Sequence, residues 1–345
     1  MTLDRVGVVM LSTVGNAVWT LPVLNAIKRA RPGTRTSWIM QPGPATLVTG
    51  HPAVDEIIPF ERDRGLSGYV AVRRALARRR FDALLVLQSY LKSGIVAALA
   101  HADVKLGIHR RRAHDMSWIF TNQRLADRPI GHMQDEFLSF LEPLGVPPEP
   151  VEYRLGPWPS EREWQREFFA SLSRPAVAIV VGTTKAEKDW PAERCAQVCD
   201  ALWHDFGLEP VLVGGRSEAE RAAERVIMEC TRHPPRSTVG CGLRQLVAIL
   251  DGCALTVTPD TGPLHLAAAL ERPVISLMGY TNPKRFGPYR RYGDLVIDAY
   301  GDPGEPYDAA SANRPGRMAH ITERDVLERV ERWRSSYGTS SGPKR

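Results

Sequence analysis

Hydrophobic positions along the chain fall into short blocks that switch between a period of two and a period near 3.6. VGVVML (6–11) reads as a strand and LPVLNAIKRA (21–30) as a helix; TRTSWIM (34–40) and VDEIIPF (54–60) read as extended. RGLSGYVAVRRALARRR (64–80) has helical spacing. FDALLVLQ (81–88) is apolar enough for a strand buried on both faces, and the helix-like KSGIVAALA (92–100) follows it. Strands separated by helices of this length predict parallel-sheet units covered by helices on both faces.

A second series starts after 143–161, PLGVPPEPVEYRLGPWPSE, whose prolines and glycines mark a passage between domains. A short helix at 160–171 leads into PAVAIVVGTT (175–184). Next come helix 195–207, strand LEPVLVGG (208–215), helix EAERAAERVIMEC (218–230) and helix LRQLVAILDGC (243–253). ALTVTPDTG (254–262), LHLAAAL (264–270) and RPVISLMG (272–279) close the series. Residues 293–320 show little periodicity and read as a long excursion. ITERDVLERVERW (321–333) opens with a Thr322/Asp325 capping pattern and carries a Val326, Leu327, Val330, Trp333 stripe; SSYGTSSGPKR (335–345) reads as a frayed tail. The pattern divides into an N-terminal domain (1–158), a C-terminal domain (159–320) and a final helix (321–337), expected to pack back towards the N-terminal domain. Two doubly wound halves place a ligand outside the C-terminal ends of the strands.

Composition narrows the function classes. The chain has 345 residues, 43% of them hydrophobic, and no apolar run approaches the ~20 residues of a bilayer span. MTLDRVGVVMLSTVG lacks a signal-peptide pattern and reads as a first buried strand. The cysteines at 195, 199, 230, 241 and 253 form no CxxC or zinc-like set, which suits a reducing compartment and structural roles. Of the net +6, all lies in residues 1–160, with 20 Lys+Arg against 14 Asp+Glu. The clusters RRALARRR (73–80) and HRRR (109–112) suit an anionic membrane or a phosphorylated lipid, or else form a solvated face. No zinc finger, RNP-like strand or glycine-lysine loop supports nucleic acid.

Candidate chemistry gathers at four strand-to-helix junctions. LSTVGNAVWTLP (11–22) places Ser12, Thr13, Gly15 and Asn16 after the first strand; it is neither a GxGxxG nor a P-loop, which counts against a nicotinamide enzyme. GTTKAEKDWP (182–191) brings Thr183, Thr184 and two lysines to a strand end, where hydroxyls and ammonium groups fit phosphate oxygens or simply make a hydrophilic loop. In VGGRSEAE (213–220), Glu218 either accepts bonds from sugar hydroxyls or stabilises the first turn of its helix. TVTPDTGPLHLAAAL (256–270) sets Asp260, Thr261 and Gly262 at a helix start with His265 one turn on; the N-terminal amides suit an anion, and plain helix capping is the alternative.

The order of these motifs resembles the bacterial ADP-heptose:lipopolysaccharide heptosyltransferases, glycosyltransferase family 9. The matching stretches are LSTVGNAVWTLPVLNAIKRARPG, HPAVDEIIPF, GTTKAEKDWP, GGRSEAE, TPDTGPLHLAAALERPVISLMGYTNPKRFGP and MAHITERDVLERV. The resemblance implies an α/β GT-B fold, two doubly wound Rossmann-like domains facing across a cleft. It implies an acceptor on the N-terminal domain, an ADP-sugar donor on the C-terminal one, and inverting transfer without a metal or other cofactor. Lys188 falls at the phosphate-contacting lysine, with Thr183 and Thr184 in its loop. Glu218 falls at the acid that holds the donor, and Asp260, Thr261, Gly262 and His265 at the donor block. The implied acceptor is an anionic lipid-linked saccharide, and the implied location is cytoplasmic, with peripheral contact at the inner membrane.

One position departs from the family pattern. Asn16 stands where relatives carry an aspartate that serves as base, and an amide takes no proton at useful pH. This leaves three readings of activity: heptosyl transfer to lipopolysaccharide core with another group as base, transfer of a different sugar or to a different acceptor, or a catalytically silent donor-binding protein.

Overall fold

The computed structural model describes residues 3–338. It divides into two compact units, one of Met1–Pro129 with Met133–Arg154 and one of Ile130–His132 with Leu155–Arg345.

In the first unit the strands are β1 (Arg5–Val9), β2 (Arg35–Met40), β3 (Glu56–Pro59), β4 (Arg80–Val86), β5 (His101–Gly107) and β6 (Gln123–Arg124). They form a parallel sheet in the order β3-β2-β1-β4-β5-β6. Between them run α1 (Val14–Ala30), α2 (Pro42–Val48), α3 (Leu66–Leu76) and α4 (Leu91–Leu99), with α5 (Met133–Leu138) after β6. Val8 and Val9 are fully buried in the central strand, as a strand covered on both faces requires. The proline-rich stretch before 154 belongs to this unit. Buried Asn25 on α1 donates to the carbonyls of Glu152 (2.7 Å) and Tyr153 (3.2 Å).

The second unit repeats the plan. Its strands are β7 (Ala176–Val180), β8 (Glu209–Val213), β9 (Arg236–Ser237), β10 (Leu255–Pro259), β11 (Val274–Met278) and β12 (Val296–Asp298). Their order is β12-β11-β10-β7-β8-β9, again parallel. The helices are α6 (Pro159–Ala170), α7 (Ala192–His204), α8 (Glu218–Cys230), α9 (Leu243–Gly252), α10 (Gly262–Ala269), α11 (Pro283–Phe286) and α12 (Glu323–Tyr337). Read from the first strand of each unit, both sheets have the doubly wound order, so each has one switch point: β1/β4 in the first and β7/β10 in the second.

Several sequence expectations need correction. Residues 293–320 are no bare excursion. They contain β12, which pairs with β11, and a 3-10 turn at Arg317–His320. That turn is pressed so closely on Gly279 that a Cβ there would lie 2.7 Å from the Met318 nitrogen. The final helix packs its Val326, Val330 and Trp333 stripe into the core of the second unit. Buried Trp190 fixes its entry by donating from the indole to the Ile321 carbonyl at 3.0 Å. The helix runs to Tyr337, the end expected for it, so 335–337 are helix and not frayed tail; 339–345 lie outside the described residues. Strand β5, short β6 and β9, and helices α2, α5 and α11 were not anticipated.

Candidate functional site

At the β7/β10 switch point, two loops leave adjacent strands at their C-terminal ends. The loop after β7 is built on Thr183. Its N–H donates to Asp189 Oδ1 at 2.7 Å, and its hydroxyl donates to the Lys185 carbonyl at 2.7 Å. Thr183 is therefore buried as framework, whereas Thr184 and Lys185 are exposed. A 3-10 turn, Ala186–Lys188, then aims Lys188 at the neighbouring loop.

There Lys188 Nζ donates to Asp260 Oδ2 at 2.7 Å and to the Asp260 carbonyl at 3.1 Å. On the carboxylate's other side, His265 Nε2 lies 3.3 Å from Oδ1. Asp260 and His265 are both buried. Burial alone would push the Asp260 carboxyl up. The His265 hydrogen bond and the Lys188 charge outweigh it and hold the carboxyl well below the usual carboxylate range. An ammonium has three N–H donors, so Lys188 keeps one for a ligand oxygen.

Thr261 occupies the N-cap of α10 but makes no side-chain cap hydrogen bond. Asp260 is turned to Lys188 and His265. Capping therefore does not account for the Asp-Thr-Gly sequence. The first turn of α10 presents its amide end beside the Lys188–Asp260–His265 cluster, the combination of dipole and cation that holds an anion.

The loop after β8 separates two glutamates. Glu218, the sequence candidate, is the first residue of α8. It is exposed and has no hydrogen bond or ion pair. Glu220, which sequence reading missed, completes a capping box with Ser217 and also accepts from the Gly215 N–H. Its signal was legible: Ser-x-x-Glu ahead of a helix. Glu220 also comes close to the β7 loop, since a Cβ on Gly182 would sit 3.1 Å from its Cγ. Burial raises the Asp189 carboxyl, Thr183 hydrogen bonds oppose this, and the Glu220 and Glu187 charges push it further up.

The first unit has the corresponding junction at β1/β4. Gln88, just past β4, accepts from the Leu11 N–H at 2.9 Å and donates to Ser12 Oγ at 3.1 Å. Sequence reading missed Gln88, though it is the first polar residue after the β4 apolar run. Thr13 caps α1 with φ 71°, and its hydroxyl accepts from the Asn16 N–H at 3.3 Å. Asn16 Nδ2 donates to the Ser12 carbonyl at 3.2 Å, which leaves Oδ1 without a protein donor. Gly15 sits in the first turn of α1 between them. The groups that meet here are hydroxyls and amides.

Away from these junctions, a cavity of about 140 Å³ at the N-terminal edge of the first sheet lies among Arg5, Arg35, Ser37, Glu56, Arg79 and Phe81. Glu56 there already takes the Ser37 hydroxyl and the Arg79 guanidinium. Among the described residues no group of three or more His, Cys, Asp or Glu is placed to hold a metal, and no helix is long and apolar enough to cross a membrane. Burial pushes the Cys195 thiol up to about 12 and the Cys241 thiol to about 11, which favours the protonated thiol in both.

Residues 69–301 match the family described as glycosyltransferase family 9 (heptosyltransferase). The chain belongs to that family. It is a glycosyltransferase of the GT-B fold class. It is 29% identical over 294 residues to the lipopolysaccharide core heptosyltransferase OpsX of Haemophilus influenzae, covering 85% of this chain and 84% of that one. The structure of a family 9 glycosyltransferase from Veillonella parvula superposes with a TM-score of 0.82 at 24% identity, covering 96% of this chain and 98% of that one, a likeness of fold. E. coli heptosyltransferase WaaC, solved with ADP, gives a TM-score of 0.74 at 25% identity, with 95% and 99% covered. The same enzyme solved with ADP-2-deoxy-2-fluoro heptose gives 0.72.

Proposed function

We propose that this family 9 glycosyltransferase moves a heptose from ADP-heptose, bound by the second unit, to a lipopolysaccharide core acceptor, bound by the first. The reaction inverts the anomeric centre, needs no divalent metal, and takes place at the cytoplasmic face of the inner membrane. The observation that carries this reading is the Lys188–Asp260–His265 cluster beside the first turn of α10 at the β7/β10 switch point. The relatives named for heptose transfer, and the WaaC structures with ADP and an ADP-heptose analogue, supply the donor class.

In this reading the acceptor hydroxyl oxygen attacks the anomeric carbon, and the bond from that carbon to the β-phosphate oxygen breaks. Negative charge grows on the departing ADP. The remaining Lys188 N–H and the α10 amides meet it in a preorganised arrangement. Asp260 and His265 hold Lys188 and the loop in register. Thr184 and Glu218, exposed on flanking loops, are assigned to the donor's phosphate and sugar hydroxyls. Ser12, Thr13, Gly15 and Asn16 are assigned to the acceptor. The proton passes to a group other than Asn16, whose amide orients the hydroxyl.

Calorimetry with ADP, followed by product detection with ADP-heptose and a panel of core acceptors, tests this. ADP should bind and heptose should move. Absence of ADP binding would sink the donor assignment. Binding without transfer to any acceptor would favour a silent donor-binding protein, the reading that Asn16 motivates.

A further inference from the structure

Large apolar side chains are exposed in an uneven way. Among the described residues, all of them except Ile130 lie in one region of the first unit: Leu66 and Val70 on α3, Tyr90 and Leu91 at the start of α4, and Met116 and Ile119 after β5. Leu66 is 85% exposed and Met116 62%, so these are not side chains caught at the rim of the core. A monomer seldom leaves such a cluster bare without a partner for it.

The pieces form one surface. α3 packs beside α4, and α4 packs against the turn Ser117–Phe120. Tyr90 stacks on His114 at 5.4 Å between ring centres, and the Ser117 hydroxyl donates to the Ser89 carbonyl. On α3 the inner face is Gly68, Val72 and Leu76. The outer face therefore carries Leu66, Val70, Arg73 and Arg74, a stripe that begins apolar and ends cationic. All three segments follow the C-terminal ends of β3, β4 and β5. That is the same edge of the sheet from which the Ser12–Asn16 turn leaves β1.

The basic clusters split in a way that sequence did not show. Arg79 is committed to Glu56, Arg80 to Asp103, Arg111 to Asp127 and Arg112 to Glu136. The side chains of Arg73, Arg74, Arg78, Lys92 and Arg110 are exposed and make no hydrogen bond or ion pair. Four of these free cations, Arg73, Arg74, Lys92 and Arg110, lie on or next to the segments that carry the exposed apolar side chains. Of the acids nearby, Glu61 is paired with Arg64, which leaves Asp63 and Asp115.

We infer that this face of the first unit docks on an anionic phospholipid bilayer, with the apolar side chains entering the headgroup boundary and the free cations meeting lipid phosphates. A surface of this kind needs both contributions, since either one alone binds weakly. A second copy is disfavoured by the same charges, because a two-fold contact would set Arg73 and Arg74 against their own kind. Single-stranded nucleic acid would need open aromatic platforms, and Tyr90 is already stacked on His114. The link to a lipid-anchored acceptor rests on the function proposed above; bilayer binding itself does not.

Flotation with phosphatidylcholine vesicles, with and without phosphatidylglycerol, separates the outcomes. The full chain should partition onto the anionic vesicles at low salt and come off as salt rises. Arg73→Glu with Arg74→Glu should lower partitioning about tenfold or more, and so should Leu66→Ser with Met116→Ser. Both variants should keep the parent's circular dichroism and ADP affinity. No preference of the parent for anionic vesicles, or equal partitioning of parent and variants, overturns the inference. So does a concentration-dependent dimer in sedimentation that Leu66→Ser with Met116→Ser abolishes while vesicle binding is absent. Vesicle binding without sugar transfer would leave it standing and remove the proposed function instead.

Discussion

Lys188 carries two loads, and the structure separates them. In the proposed function it offers one N–H to the donor, and in the structure it neutralises a buried carboxylate. Lys188→Ala should weaken ADP binding about ten- to a hundredfold, the size of a lost charge-assisted hydrogen bond. It should also cost about 1–3 kcal/mol of stability, the cost of leaving a buried group short of a partner, since Asp260 would keep only His265. Calorimetry and urea unfolding read the two effects apart, and adding Asp260→Asn should recover part of the stability without recovering affinity. The pH dependence has a definite sign. Asp260 titrates lower in the folded state than in the unfolded one, so its pairing contributes fully above about pH 4 and is lost as pH falls towards the folded value. Without Lys188 the carboxyl rises, and acid unfolding should begin at higher pH than in the parent. An unmoved acid midpoint, followed by tryptophan fluorescence, would remove Lys188 from that role.

Asn16 makes a prediction of the same kind. Asn16→Asp adds an acid to a helix turn that has none, which suits the dipole, but gives up the Nδ2 donation to the Ser12 carbonyl. The variant should fold, and its initial rate against pH should gain a rising acidic limb whose midpoint reports the new carboxylate. A profile identical to the parent's would take position 16 out of the proton path.

At the scale of elements, the site depends on how helices begin. α8 starts with a reciprocal Ser217/Glu220 box, and the same Glu220 fastens Gly215 in the loop before it. Ser217→Ala should cost about 1 kcal/mol in thermal or urea unfolding. It should leave ADP affinity near the parent's if Glu220 still holds Gly215. α1 starts from strain instead: Thr13 is a β-branched residue at φ 71°. Thr13→Gly would relieve that conformation but remove the acceptor for the Asn16 N–H. The structure therefore predicts a loss of acceptor affinity in kinetics, with stability unchanged or slightly raised.

For the whole molecule, positive charge at the proposed donor site comes from Lys188 and a helix terminus. ADP affinity should therefore survive chelation by EDTA. Loss of affinity that magnesium or manganese restores would overturn the metal-free reading. The two sheets share one strand order, and both junctions that organise the proposed chemistry stand at its switch points. In each unit a side chain from one switch-point loop reaches the other: Lys188 to Asp260, and Gln88 to Ser12. Parallel strands that diverge in their connections leave room there for a ligand and little elsewhere.

Much of this was legible in the chain itself. Central strands such as 81–88 and 175–184 declared themselves because burial on both faces demands continuous apolar runs. Helix 218–230 declared itself through its spacing. Motif order gave the family. What the sequence left open were choices among partners. Strand β5, HADVKLG, has a mixed pattern because it lies towards the sheet's edge and is only partly covered. The pairing of Arg79 and Arg80 with acids on other strands, while Arg73 and Arg74 stay free, depends on which face of α3 turns to the sheet. The Ser-x-x-Glu spacing marks Glu220 as a cap, but its further reach to the Gly215 N–H shows only in the folded loop. Whether Asp260 caps a helix or holds a lysine is settled by a residue 72 positions away in sequence. Local periodicity follows from nearest-neighbour geometry, and the chain carries it openly. The identity of a charged group's partner follows from which strands lie side by side, and only the folded chain decides that.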